Sequence, residues 1–196
     1  MKLSILAGFL IGMGGIINLI VGDALGAIFF SLGLITICTF KYSLFTGKAG
    51  LLVKKAIEPW ELCGIWIGNF VGTLCCAMLV RLTPKAEEIS NAALKIVETR
   101  MAQTAIENIV LGIFCGILMY IAVTGYEKTN NYLFCIAPVA FFILCGFNHC
   151  VADMFYSSCI STTAWAHWSH LIATTFGNLI GTNIIPYLER EFHKSL

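Results

Sequence analysis

The 196-residue chain is 58% hydrophobic and only 12% charged, with a formal net charge of +1. A soluble domain carries about 25% charged residues, so a water-soluble globule is excluded, and a charge this close to zero gives no electrostatic footprint for nucleic acid. Nine cysteines fall almost entirely within apolar stretches and lack paired CxxC spacing, which predicts small packing residues rather than metal ligands or disulfides.

Uncharged windows cover residues 3–22, 24–40, 62–80, 108–126, 129–152 and 154–188. One helical span takes about 20 apolar residues, so the chain accommodates six spans with little left over. This predicts an all-α, multi-pass membrane protein. The first window is longer than the apolar region of a signal peptide and more spans follow it, so it is expected to be retained.

In chain order, span 1 covers 3–22 and a second apolar helix covers 24–40. The second helix runs into Lys41-Tyr42-Ser43-Leu44-Phe45-Thr46-Gly47-Lys48-Ala49-Gly50, whose glycines, hydroxyls and lysines predict a break, with Lys41 snorkelling to the interface. Pro59 suits the first turn of span 3, 59–81, with Trp60 and Trp66 near the interface. Residues 82–101 are polar. There Thr83-Pro84 predicts a helix start, and Ile89, Ala93, Ile96, Val97 and Met101 recur at helical spacing. Span 4 covers 102–125. Span 5 covers 131–147, with an interruption at 147–153 and a short continuation to 160. Span 6, 165–187, opens with Trp165 and Trp168, places His167 and His170 at the interface and ends near Pro186.

The basic residues orient these spans. An inner amino terminus puts Lys2, Lys48, Lys54, Lys55, Lys128, Arg190 and Lys194 inside, against Arg81, Lys85, Lys95 and Arg100 outside. That bias follows the positive-inside rule and predicts that both termini are cytoplasmic.

The sequence also repeats. Ala7-Gly8-Phe9-Leu10-Ile11-Gly12 matches Leu111-Gly112-Ile113-Phe114-Cys115-Gly116, and Ile67-Gly68-Asn69-Phe70-Val71-Gly72-Thr73 matches Phe176-Gly177-Asn178-Leu179-Ile180-Gly181-Thr182. The break at Leu44-Phe45-Thr46 falls opposite one at Asn148-His149-Cys150. Small residues four apart are general helix-packing devices, yet two matched pairs and two aligned breaks predict more. They give two three-span halves, 1–82 and 102–196 around the polar 83–101 segment, the second inverted relative to the first. Inverted repeats with interrupted helices are built around a midplane transport pathway.

The most informative polar residues lie in Gly146-Phe147-Asn148-His149-Cys150-Val151-Ala152-Asp153-Met154-Phe155. Ionisable groups at bilayer depth cost about 2.5 kcal/mol or more each and usually face a cavity or pathway. A membrane redox or metal protein built on His149, Cys150 and Asp153 is a competing reading, but no further His-Cys cluster joins them, so no metal or cofactor is expected. A neutral-solute channel is the rival within transport, although the paired Asn-Pro-Ala elements of aquaporins are missing.

These residues resemble the formate/nitrite transporter family. Leu44-Phe45-Thr46 is similar to its break in helix 2, Phe147-Asn148-His149 with Ala152-Asp153-Met154-Phe155 to its histidine motif in helix 5, and Gly68-Asn69 and Gly177-Asn178 to its Gly-Asn elements. The resemblance implies no enzymatic activity. It implies an aquaporin-like six-helix protomer in a homopentamer, with one pore per protomer for formate, nitrite, hydrosulfide, acetate or lactate, together with protons. By position it implies His149 as central pore donor with Thr46, Asn148 and Asp153 beside it, constrictions at Leu34, Leu44, Phe45 and Phe142, and Arg100 as a vestibule cation. The chain departs from the family at Asn148, where Glu is common, and at Asp153, where Asn is frequent and where the carboxylate is expected either to face His149 or to cap a helix start. It departs again at Gly116, where a pore-facing Asn is common, and no counterpart of the family's helix before span 1 is seen. The implied chemistry is anion–proton symport or pH-dependent channelling, because a bare anion in a dry constriction meets a desolvation penalty of tens of kcal/mol that its neutral acid avoids.

Overall fold

The computed structural model describes residues 1–160 and 168–194; the expectations for Trp165 and His167 lie outside them. Among the described residues every regular element is helical: α1 (Lys2–Val21), α2 (Asp23–Thr39), α3 (Phe45–Lys48) with a 3-10 turn (Ala49–Leu51), α4 (Pro59–Val80), α5 (Ala86–Ala102), α6 (Ala105–Thr129), α7 (Leu133–Leu144), α8 (Cys150–Cys159) and α9 (Ser169–Lys194). Helices α1, α4 and α6 are each long and apolar enough to cross a bilayer, and α2 and α7 are apolar but shorter.

The helix ends follow local chemistry. Pro59 opens α4 behind a reciprocal capping box between Glu58 and Glu61, and Thr104 and Glu107 form the same box at α6. Two boundary expectations are corrected. Thr83 does not start a helix, because its hydroxyl donates back to the Val80 carbonyl (2.7 Å) and closes α4. Helix α5 begins only at Ala86, with Glu87 and Glu88 in its first turn, where acidic groups complement the amino-terminal dipole. Pro186 does not end the last helix either, and α9 continues through it to Lys194. The proline removes a single N–H from the ladder, a loss that a packed helix tolerates.

Two helix pairs form the frame. Helix α1 crosses α4 through Gly8, Gly68 and Gly72, and α6 crosses α9 through Gly112, Gly116, Gly177 and Gly181. A Cβ at Gly72 would collide with the Ile5 carbonyl oxygen, and one at Gly181 with that of Ile113. The matched glycines are therefore contact points where backbones touch, a packing mode suited to a medium in which apolar side chains gain nothing from leaving lipid. Gly181→Leu is expected to pry α6 from α9 and lower the thermal midpoint of the detergent-solubilised protein markedly. Gly64→Ala, in the same helix type but with open space around it, should hold or slightly raise that midpoint, since glycine costs a helix interior about 0.5–1 kcal/mol relative to alanine.

Helix α8 lies inside this frame, and all ten of its residues are buried. The Phe155 ring fills the notch left by Gly12 and Gly15 of α1. Protein on every side is what allows backbone next to α8 to leave the helical form at membrane depth. Helix α5 covers α8 with Ile89, Ala93 and Val97, all buried.

Candidate functional site

The chain is non-helical between α2 and α3 and again between α7 and α8. Buried backbone polar groups freed in such segments need partners, and one asparagine supplies them in each case. Asn69 Nδ2 donates to the carbonyls of Ser4 (2.7 Å) and Ser43 (2.9 Å), while its Oδ1 accepts from the Phe45 N–H (2.8 Å). Asn178 Nδ2 donates to the carbonyls of Gly112 (2.9 Å) and Asn148 (2.8 Å), while its Oδ1 accepts from the Cys150 N–H (2.8 Å). Each staple binds a long helix to both sides of a break.

The far ends of the short helices are held by arginines. Arg81, just past α4, donates through Nη2 to the Ser158 (2.8 Å) and Ile160 (3.1 Å) carbonyls at the end of α8. Arg190 of α9 donates to the Val53 carbonyl (3.1 Å) beyond α3, beside Asn183, which donates to the Ala49 carbonyl (3.0 Å). Helix carbonyls without an intrahelical partner receive cations favourably. Arg81 and Arg190 stand at the same 109-residue offset as Asn69 and Asn178.

The two breaks meet at Thr46 and His149, both buried, with Thr46 Oγ1 3.0 Å from His149 Nε2. His149 precedes α8 with an extended backbone, and its Nδ1 accepts the Ala152 N–H (3.1 Å). Nδ1 is thus the unprotonated nitrogen, so Nε2–H donates to Thr46, whose own hydroxyl proton is left to donate onward. The imidazole stacks on Phe142 (centroids 5.5 Å, 19°), and Phe142 meets Phe30 edge-on (6.0 Å, 87°).

Cavities approach this contact from two sides. The lower one, about 460 Å³, is lined by Leu44, Lys41, Lys48, Tyr126 and Glu127 among others. The upper one, about 240 Å³, is lined by His149, Arg100, Asp153, Asn18 and Tyr156 among others. Asn108 near the start of α6 donates to the Arg100 carbonyl (3.1 Å) at the upper cavity, whereas Tyr126 near its end lines the lower one. At 1.5 Å per residue these two positions on α6 are about 27 Å apart, so the cavities lie toward opposite ends of the helix.

The expected site residues divide accordingly. Thr46 and His149 touch, with Phe142 against the imidazole ring and Leu44 at the floor of the lower cavity. Leu34 and Phe45 are buried in the same core. Asn148 is absent from the cavity lining; its Nδ2 is turned to Asn108 Oδ1 (2.7 Å) and Gln103 Oε1 (3.1 Å). Asp153 faces Arg100, with Nε to Oδ1 at 3.7 Å, which corrects the expectation that it faces His149. Arg100 lines the upper cavity, as a largely buried residue whose Nη1 donates to the Gly146 carbonyl (2.9 Å). Gly146 takes a φ of 69° there, a conformation open to glycine. Gly116 corresponds to no pore wall, because a Cβ there would strike the Asn178 carbonyl of α9. The staple asparagines, Phe30 and the two arginines were not singled out for these roles from sequence. The matched Gly-Asn elements were the available signal for the staples.

Residues 1–188 match the family model described as formate/nitrite transporter. The chain is 27% identical over 185 residues to formate channel FocA of Haemophilus influenzae, covering 86% of this chain and 63% of that one. It is 30% identical over 190 residues to formate channel FocA of Escherichia coli, covering 82% and 66%. The chain therefore spans just under two thirds of the length of these curated relatives. A solved pentameric formate channel with formate bound superposes with a TM-score of 0.82 at 22% identity, covering 100% of this chain and 96% of that one. A solved FNT family ion channel gives 0.81 at 22% identity, covering 97% and 88%. With the formate/nitrite transporter family model matching residues 1–188, the chain belongs to that family, a family of transporters and not of enzymes, and is a multi-pass membrane protein.

Proposed function

We propose that the protein carries small monovalent anions and their conjugate acids, such as formate, nitrite, hydrosulfide, acetate or lactate, through one pore per protomer, with a proton moving alongside. The observation that carries this reading is the Thr46–His149 contact, made where two helix breaks meet between cavities toward opposite ends of α6. In this reading α1, α2 with α3, and α4 are three spans of one half; α6, α7 with α8, and α9 are the inverted other half. Spans 2 and 5 are the interrupted ones, as in an aquaporin-like protomer. The paired asparagine staples and the crosswise arginine caps support that two-fold plan. The pentamer named for the superposed formate channel supports a homopentamer, and the lysines around the lower cavity support cytoplasmic termini.

Mechanistically, the lower cavity gathers anions, since Lys41 and Lys48 outweigh Glu127. Leu34, Leu44, Phe45 and Phe142 form dry passages that an ion enters only at great desolvation cost. At their centre His149 is the donor: its Nε2–H polarises the Thr46 hydroxyl, which donates to the substrate oxygen. A substrate that carries its proton crosses as a neutral acid, so net transport is symport.

The reading is tested in proteoliposomes by formate uptake in competition with nitrite, hydrosulfide, acetate and lactate at pH 5.5 and 7.5, beside osmotic water flux. Saturable formate uptake that other small monoacids inhibit is expected, greater at the lower pH. Water flux without formate uptake would instead identify a neutral-solute channel.

A further inference from the structure

The upper cavity opens into a second one of about 400 Å³, lined by Leu19, Gly22 and Asp23 around the α1–α2 turn, Lys95 of α5 and Leu144 at the end of α7 among others. Among the described residues, three line both cavities: Asn18 of α1, Ile96 of α5 and Ile143 of α7. They form the neck between the outer mouth and the chamber beside His149. All three are half-buried, so each presents surface to the passage. Asn18 is the polar member.

The Asn18 amide has a fixed direction. Its Nδ2 donates to the Tyr156 hydroxyl of α8 (3.3 Å). Its Oδ1 lies against Gly26 of α2, 3.3 Å from where a Cβ would stand on that glycine. The nitrogen end therefore faces α8, which borders the chamber. Nδ2 carries two protons; Tyr156 takes one, and the second is left for a guest in the neck. Other polar side chains of the chamber are turned into protein. The Thr99 hydroxyl donates to the Lys95 carbonyl (2.9 Å) and Arg100 Nη1 to the Gly146 carbonyl. The imidazole is shared between Thr46 and the Ala152 N–H, and Asp153 and Tyr156 are buried.

We propose that Asn18 is a substrate-binding residue of the upper passage, whose second Nδ2–H donates to an oxygen of a small carboxylate, carboxylic acid or nitrite as it crosses the neck. Ile96 and Ile143 close on the rest of the molecule. Tyr156 is a positioning residue: it acts through Asn18, holding the amide with its nitrogen toward the chamber. This rests on the transport reading above and adds a binding contact one stage before His149. An oxygen entering the neck sheds water, which is costly unless another hydrogen bond takes its place. A neutral amide supplies that bond to the ion and to its acid alike, since both carry an oxygen acceptor. The contact therefore differs in kind from the lysines of the lower cavity, which concentrate anions by charge.

The test measures initial formate uptake against formate concentration in proteoliposomes of the full chain. Asn18→Leu keeps the branching of the side chain and deletes the donor. It should raise the half-saturation concentration about fivefold, with the maximal rate within about twofold of wild type, as expected when a contact made on binding is lost. Asn18→Ser, which keeps a donor, should recover much of that loss. Tyr156→Phe deletes the hydroxyl that holds the amide and should raise half-saturation by a smaller factor, so the proposal remains testable if Asn18→Leu does not assemble. A merely structural hydrogen bond between α1 and α8 would instead move the yield of folded protein and the maximal rate. Half-saturation unchanged in Asn18→Leu, or in Tyr156→Phe where Asn18→Leu does not assemble, overturns the proposal. Absence of saturable formate uptake by wild type overturns the transport reading on which it stands.

Discussion

Replacing Asn178 by leucine should cost the protein its stable fold. The side chain keeps the same branching and number of heavy atoms, but it abandons the Cys150 N–H and the carbonyls of Gly112 and Asn148. All three contacts are buried. An orphaned buried polar group costs about 1–3 kcal/mol, so the three together cost at least about 3 kcal/mol against a native margin of about 5–15 kcal/mol. Asn69→Leu should be as severe, because it abandons the Phe45 N–H and the carbonyls of Ser4 and Ser43. Asn183→Leu, whose contacts are only partly buried, should be milder. Thermal unfolding in detergent, read beside size-exclusion profiles, orders the three; a midpoint for Asn178→Leu within a degree or two of wild type would contradict the staple assignment.

The second large effect concerns flux rather than stability. Truncating His149 to alanine removes the donor behind the Thr46 hydroxyl and the acceptor for the Ala152 N–H. It also removes the ring on which Phe142 stacks. A substrate oxygen in the constriction then meets no oriented donor. Leaving a buried polar partner unsatisfied costs about 1–3 kcal/mol, and each 1.36 kcal/mol on a barrier is tenfold in rate, so formate flux should fall roughly tenfold to a hundredfold. Thr46→Val, which keeps the shape and deletes the hydroxyl, should fall in the same direction, and Thr46→Ser should restore most of the loss.

Much of this architecture was legible in the sequence because it is local or periodic. Uncharged windows mark α1, α4 and α6 to within a few residues, and Pro59 marks the start of α4. Non-helical backbone covers 40–44 and 145–149, beside the breaks expected at Leu44-Phe45-Thr46 and Asn148-His149-Cys150, where polar residues interrupt an apolar sequence; Phe45, Thr46 and Cys150 themselves are helical. What could not be read depends on contacts between distant positions. Asp153 lies four residues after His149, a spacing that aligns side chains only within a helix. His149 precedes α8 with an extended backbone, and its ring folds back onto the Ala152 N–H. Asp153 is left to Arg100, which the fold of α5 carries in from 53 positions earlier. The glycine-asparagine matches were visible, but their division of labour was not. Glycine serves the helix crossings and asparagine the breaks, and each partner lies on another element. Thr83-Pro84 misled because a hydroxyl that caps a following helix can equally donate back to the one before.

The central claim is that substrate passes the Thr46–His149 contact. It is tested most directly by formate uptake into proteoliposomes holding equal amounts of wild-type and His149→Ala protein, at pH 5.5 and 7.5. The account predicts that His149→Ala falls about tenfold or more below wild type at both pH values, with the protein still eluting as the folded wild type does. Uptake by His149→Ala equal to wild type at both pH values would contradict it.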